Sequence, residues 1–161
     1  MRGGAMRTIT GDLIVLAKAG AFDVIAHGCN CFHTMGGGIA AQIRQHFPEA
    51  FAADVATPYG ARAKLGTCSV ATVSVAGGHD LTIVNAYTQF EPSGGSGGVD
   101  VDYGAVAKAM AWIGAHYSGK RIGLPMIGAG LAGGDWATIE VIIRDALGGE
   151  DVTIVRFGGG T

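Results

Sequence analysis

Two apolar rhythms alternate along the chain. Continuous or period-two runs rich in β-branched residues predict strands at "RTITG" (7–11), "DVIAHGCN" (23–30), "TCSVATVSV" (67–75), "LTIVNAYTQ" (81–89), "RIGLPMI" (121–127) and "VTIVRF" (152–157). Between them the spacing changes to that of helices. "DLIVLAKA" (12–19) is a short one, and "IAAQIRQHF" (39–47) places Ile39, Ile43 and Phe47 on one face. Pro48 suits the first turn of a further helix, "EAFAADVAT" (49–57). "DYGAVAKAMAWIGAHY" (102–117) aligns Val106, Met110, Ile113 and Tyr117, and Gly119 stops it. Asp135 can N-cap "WATIEVIIRDAL" (136–147), whose apolar face is Ile139, Ile142, Ile143 and Ala146, with Gly148 at its end. The segment "GGHD" (77–80) reads as the turn of a hairpin. Strands alternating with helices predict an α/β fold, a three-layer α/β/α sandwich around a mixed central sheet.

Composition narrows this to one domain over residues 1–161, with a leader at 1–6 and a tail at 158–161 expected to be flexible. Nearly half the residues are apolar (48%), yet no run reaches the roughly 18 residues of a membrane span. The start has no signal-peptide stretch, and Met6 can serve as an alternative start. Three cysteines without framework spacing fit reduced thiols and a cytoplasmic setting. A net charge of -2 without a basic cluster excludes a binder of nucleic-acid backbone. An anionic ligand must then be held by backbone amides.

Glycine supplies the means. The 29 glycines gather at 35–38, 77–79, 93–98, 127–134 and 157–160. "EPSGGSGGVD" (91–100) reads as a mobile loop at a strand end. Two clusters share a context: "CFHTMGGG" and "MIGAGLAGG" each follow a strand and run into a helix. Such a unit exposes amides beside a helix N-terminus, where partial positive charge favours phosphate. "GAGLAG" fits G-x-G-x-x-G, but the acidic ribose reader of a Rossmann domain is not in place and no P-loop lysine motif occurs. The ligand expected is a nucleotide diphosphate held without Mg²⁺.

A metal is the competing reading of the same stretch, because His27, Cys29, Cys31 and His33 alternate. Four such residues in one extended run do not converge tetrahedrally, and no second unit completes a site. His27 and Cys29 read better as strand residues packed under the sheet, so no metal site is expected.

In order, "TITGDLIVL", "VIAHGCNCFHTMGGGIAAQI", "KLGTCSV", "IVNAYTQ", "LPMIGAGLAGGDW" and "VTIVRF" resemble the macrodomain family of ADP-ribose-binding modules. In detail the chain looks like the branch of ADP-ribose 1″-phosphate phosphatases and their phage and bacterial relatives. The resemblance implies no cofactor, and as partner ADP-ribose, a 1″-substituted derivative, or an ADP-ribosylated protein. It places Asp12 on the adenine amine with the Leu13 amide beside it, although Asp12 also fits a turn residue capping the helix that follows. Asn30 matches the contact to the distal ribose. Gly36, Gly37, Gly38 and Ile39 match the first phosphate loop, and Gly128, Ala129, Gly130 and Leu131 the second. Phe157 falls where the family sets an aromatic against adenine, the alternative being a core residue.

Removing a 1″-phosphate needs a water at that ribose and a group to move a proton. The candidates are His33 in the first loop and Asp135 after the second; Asp135 fits a helix N-cap equally. The lysine nucleophile of the protein-deADP-ribosylating subgroup is missing near "NAYTQ", and that subgroup's aspartate falls at Ala132. Three functions stay open: a phosphatase or hydrolase of 1″-substituted ADP-ribose, a non-catalytic reader, and a module that sequesters a nucleotide signal.

Overall fold

The computed structural model describes residues 6–92 and 99–158. The glycines expected to form the mobile loop, and most of the expected leader and tail, lie outside them. The elements run β1 (Arg7–Gly11), α1 (Leu13–Lys18), β2 (Val24–Cys29), α2 (Gly38–His46), α3 (Pro48–Val55), β3 (Cys68–Val75), β4 (His79–Tyr87), α4 (Tyr103–His116), β5 (Arg121–Leu124), α5 (Trp136–Ala146) and β6 (Asp151–Phe157).

One six-stranded sheet takes the order β1-β6-β5-β2-β4-β3. All neighbours pair in parallel except the β3–β4 hairpin, whose last pair is Val75 with His79. Its turn needs Gly77 and Gly78, which sit at φ 72° and 76°. Strand burial follows position in the sheet. Edge strand β3 alternates between half-buried and exposed residues, whereas central β2 is buried almost throughout.

Each face of the sheet carries its own core. On one, α4 contributes Val106, Met110 and Ile113, and α5 contributes Ile139 and Ile143, all fully buried against Ile122, Leu124 and Ile154. On the other, Leu13 of α1, Ile43 of α2 and Ala50 of α3 pack on Ile25, Ile83 and Tyr87. The three layers are those the alternating rhythms predict, and Tyr117, Ile142 and Ala146 sit at the partly buried margin of the first core. No described helix is long and apolar enough to cross a membrane.

The continuous run "RIGLPMI" forms a strand only to Leu124. Pro125 has no N–H to offer the ladder. β2 therefore pairs with β5 only at Val24 and Ile25 and runs on to Cys29 beside β4. The connections leaving β2 and β5 depart in opposite directions across the sheet. That arrangement opens a crevice at the carboxyl ends of the strands, where open α/β sheets bind ligands.

Candidate ligand-binding cleft

A cleft of about 770 Å³ occupies that crevice. Its lining includes Asp12, Leu13, Asn30, Gly36, Gly37, Gly38, Ile39, Gly128, Ala129, Gly130, Leu131 and Phe157. Four segments far apart in sequence thus meet at one surface, because β1, β6, β5 and β2 all end there.

The first loop carries local strain. His33 and Met35 adopt positive φ of 58° and 39°, which non-glycine residues rarely do, and Gly38 follows at 57°. Asn30 holds the loop in shape: its Nδ2 donates to Thr34 Oγ1 at 2.7 Å, and its Oδ1 accepts from the Phe32 amide at 2.8 Å. The side chain matched to the distal ribose is therefore also the brace of the loop that would cover it.

Helix N-termini separate the two loops. Asp12, Asp102 and Asp135 cap α1, α4 and α5 with their own carboxylates. α2 starts after Gly37 with no side-chain cap. Its first amides have no intrahelical partner and border the cleft, where an acceptor from a ligand can reach them. The second unit departs from expectation here. Its loop lines the cleft, but the carboxylate of Asp135 already fills the N-terminus of α5. Loop amides alone remain: Gly133 N bonds Gly130 O and Gly134 N bonds Gly128 O, whereas Gly130 and Leu131 amides donate to no described group. Across the opening, a Cβ on Gly37 would come within 2.8 Å of Leu131 Cδ1, so the loops nearly touch over the channel. Leu131 is itself 65% exposed. Arg156 is the one basic side chain among the described lining residues, so amides supply most of the positive potential.

Asp12 serves as the cap of α1, accepting from Val15 N at 3.1 Å through Oδ1, and it also lines the cleft. Capping holds the carboxylate at the rim. Phe157 is 61% exposed beside it, which removes the core alternative for this aromatic.

Neither candidate for proton transfer lines the cleft. His33 turns away, its Nε2 3.2 Å from Thr57 Oγ1 and its ring edge-on to Tyr59. Asp135 accepts from Thr138 N at 3.1 Å and Thr138 Oγ1 at 2.6 Å, and these bonds lower its pKa. The cap reading of Asp135 is the one its contacts describe.

Below the floor lies a buried polar cluster. His27 Nε2 donates to Asn85 Oδ1 at 2.7 Å, and Asn85 Nδ2 donates to the Ala50 carbonyl at 2.9 Å and to Ser69 Oγ at 3.0 Å. Burial lowers the His27 pKa to about 4, against the opposing pull of the Asn85 bond. Burial also pushes the Cys29 thiol up, so it stays protonated and unreactive. Among the described residues no cluster of three or more His, Cys, Asp or Glu is placed for a metal.

Sequence reasoning passed over Asp54, Gln89 and Arg156, which also line the cleft. Asp54 carried a signal: it falls on the apolar stripe of α3, four residues after buried Ala50, where a carboxylate is out of place. Gln89 lies just past the end of β4 and Arg156 just before the end of β6, where a polar residue is ordinary.

Comparison with known proteins agrees with this geometry. The model of the Macro domain family matches residues 26–143. An uncharacterized 17.5 kDa protein from the tk-vs intergenic region of Enterobacteria phage T4 is 36% identical over 157 residues, 94% of this chain and 96% of that protein. Among solved structures, the macrodomain of Thermus aquaticus DarG has a TM-score of 0.70 at 22% identity, over 97% of this chain and 99% of its own. Thermosipho africanus DarTG in complex with ADP-ribose has a TM-score of 0.75 at 14% identity, over 97% of this chain and 42% of its own. At these identities the two structures share the fold.

Proposed function

The chain belongs to the Macro domain family, and from that membership we propose that its cleft binds ADP-ribose. The observation that carries the reading is the uncapped N-terminus of α2, across the channel from the Gly130 and Leu131 amides, which donate to no described group. Two rows of donors on either side of a narrow channel suit a diphosphate. Asp12 and Phe157, at the β1–β6 end, then take the adenine, and the first loop covers the distal ribose. A carboxylate beside the adenine amine selects against guanine, whose carbonyl would leave that charge unpaired. The complexes of DarTG and of a Trypanosoma brucei macrodomain with ADP-ribose support the same ligand class.

Binding is favoured over turnover, because His33 and Asp135 both lie outside the lining. The chain is then a reader or a sequestering module for ADP-ribose or a group bearing it. Calorimetry with ADP-ribose and guanosine diphosphate ribose tests the binding: the adenine ligand should bind far more tightly, and equal affinity would refute the reading. Incubation with ADP-ribose 1″-phosphate tests turnover. Phosphate release above background would restore the phosphatase reading, with loop amides positioning the water.

A further inference from the structure

The two edges of the sheet are guarded differently. β1 is only five residues long and carries a charge at Arg7, whose guanidinium pairs with Asp151 at 2.8 Å. β3 is eight residues long, and its sequence, CSVATVSV, has no charged residue and no proline. It pairs with β4 in unbroken register from Cys68 to Val75, without a bulge. Short length, charge, proline and bulges are the devices by which native edges turn away another strand. β3 uses none of them.

The ladder fixes which backbone groups lie open. Tyr87 N donates to Thr67 O, and bonded and non-bonded pairs alternate along an antiparallel ladder. Ser69, Ala71, Val73 and Val75 therefore exchange bonds with β4. Cys68, Val70, Thr72 and Ser74 turn their N–H and C=O groups to the open edge, where the described residues place no further strand. Val70, Thr72 and Ser74 also expose their side chains, Val70 to 41%.

Two physical arguments choose the occupant. Antiparallel pairing of β3 with itself about a twofold axis keeps every residue on its own face. It sets Val70, Thr72 and Ser74 among their own kind, with no like charges opposed. A second copy also brings its strand already extended, whereas a free peptide would first lose conformational entropy. A net charge of -2 sets little repulsion between copies.

We infer that β3 is a self-association edge: two copies of this chain pair antiparallel through β3, about an axis near Ala71 and Thr72, and join their sheets into one. No residue of β3 lines the cleft, so the inference is independent of what the cleft binds.

Sedimentation equilibrium of the unmodified protein, Thr72→Lys and Thr72→Glu tests it. A single strand pair belongs to the small, transient class of interface, so dimer should grow with concentration, between about 10 μM and 1 mM. Thr72 then lies within about 8 Å of its symmetry mate, directly opposite or one step diagonal. Each variant opposes like charges there and should dimerise about two- to fivefold more weakly. An equimolar mixture of the two variants should associate more tightly than either alone. An unmodified protein still monomeric at about 1 mM would overturn the inference. So would variants that dimerise as the parent does, or a mixture no tighter than its components. Should a variant not fold, amide hydrogen exchange on the unmodified protein serves instead. The amides of Val70, Thr72 and Ser74 should exchange more slowly as concentration rises, and exchange there that ignores concentration would overturn the inference.

Discussion

Gly128 and Gly130 belong to one loop, yet substitution at each should fail for a different reason. At Gly130 an added Cβ would meet no described atom within 4 Å, and the backbone is outside the left-handed region. A side chain there costs the fold little, within about 0.5 kcal/mol for an unconstrained surface position. Glutamate, however, would project into the channel and bring a negative charge to where a diphosphate is held. Gly130→Glu should therefore melt as the parent does and lose ADP-ribose binding. At Gly128 the backbone sits at φ 76°, and an added Cβ would lie 2.7 Å from Val101 Cγ2 and 3.0 Å from Ile139 Cδ1. The left-handed conformation costs a non-glycine residue about 1 to 2 kcal/mol. Overpacking two core side chains adds about 1 to 3 kcal/mol. Gly128→Ala should thus lose about 2 to 5 kcal/mol, seen as a Tm lower by roughly 4 to 20 °C. Thermal denaturation beside calorimetry separates the two effects. A Gly130→Glu protein that binds ADP-ribose with parental affinity would refute the clamp, and a Gly128→Ala protein of parental Tm would refute the packing argument.

Asp12→Ala should weaken ADP-ribose binding by about 1.5 to 3 kcal/mol, the worth of a hydrogen bond to a charged group. It should also cost about 1 kcal/mol of stability through the lost cap, both readable by calorimetry and denaturant unfolding. Fold stability should fall on acidification below the ordinary histidine pKa of 6.5, because unfolded His27 takes a proton there and folded His27 only near pH 4. The loss across that window is roughly 3 kcal/mol at the usual conversion, and His27→Gln should flatten the pH dependence of denaturant midpoints. His33→Ala and Asp135→Ala should leave ADP-ribose affinity unchanged in calorimetry, since neither residue lines the cleft; a marked loss in either would place it at the ligand after all.

What the sequence could and could not reveal follows from how local each cause is. Strands and helices were legible because burial of one face writes a period into the chain; β4 is displaced, starting at His79 inside the expected turn and stopping at Tyr87. The glycine loops were legible too, since backbone at positive φ beside a strand end calls for glycine at Gly38 and Gly128 whatever the ligand. The end of β5 was less so. "RIGLPMI" is apolar throughout, and only Pro125 marks where the ladder must stop. Side-chain direction within a loop leaves no such trace. His33 sits two residues from a cleft-lining methionine, yet a left-handed backbone turns it towards Thr57 and Tyr59. Asp135 shows the converse ambiguity: one carboxylate can cap a helix or serve a ligand, and the same N-terminal amides would reward either. Since it takes those amides itself, the second loop keeps only its own free donors, whereas the first loop has both its amides and an open helix end. The clamp is therefore asymmetric, and stronger on the side of α2. Replacing the cap-free start of α2 should cost more binding than any change at the start of α5, because only at α2 does the ligand complete the helix.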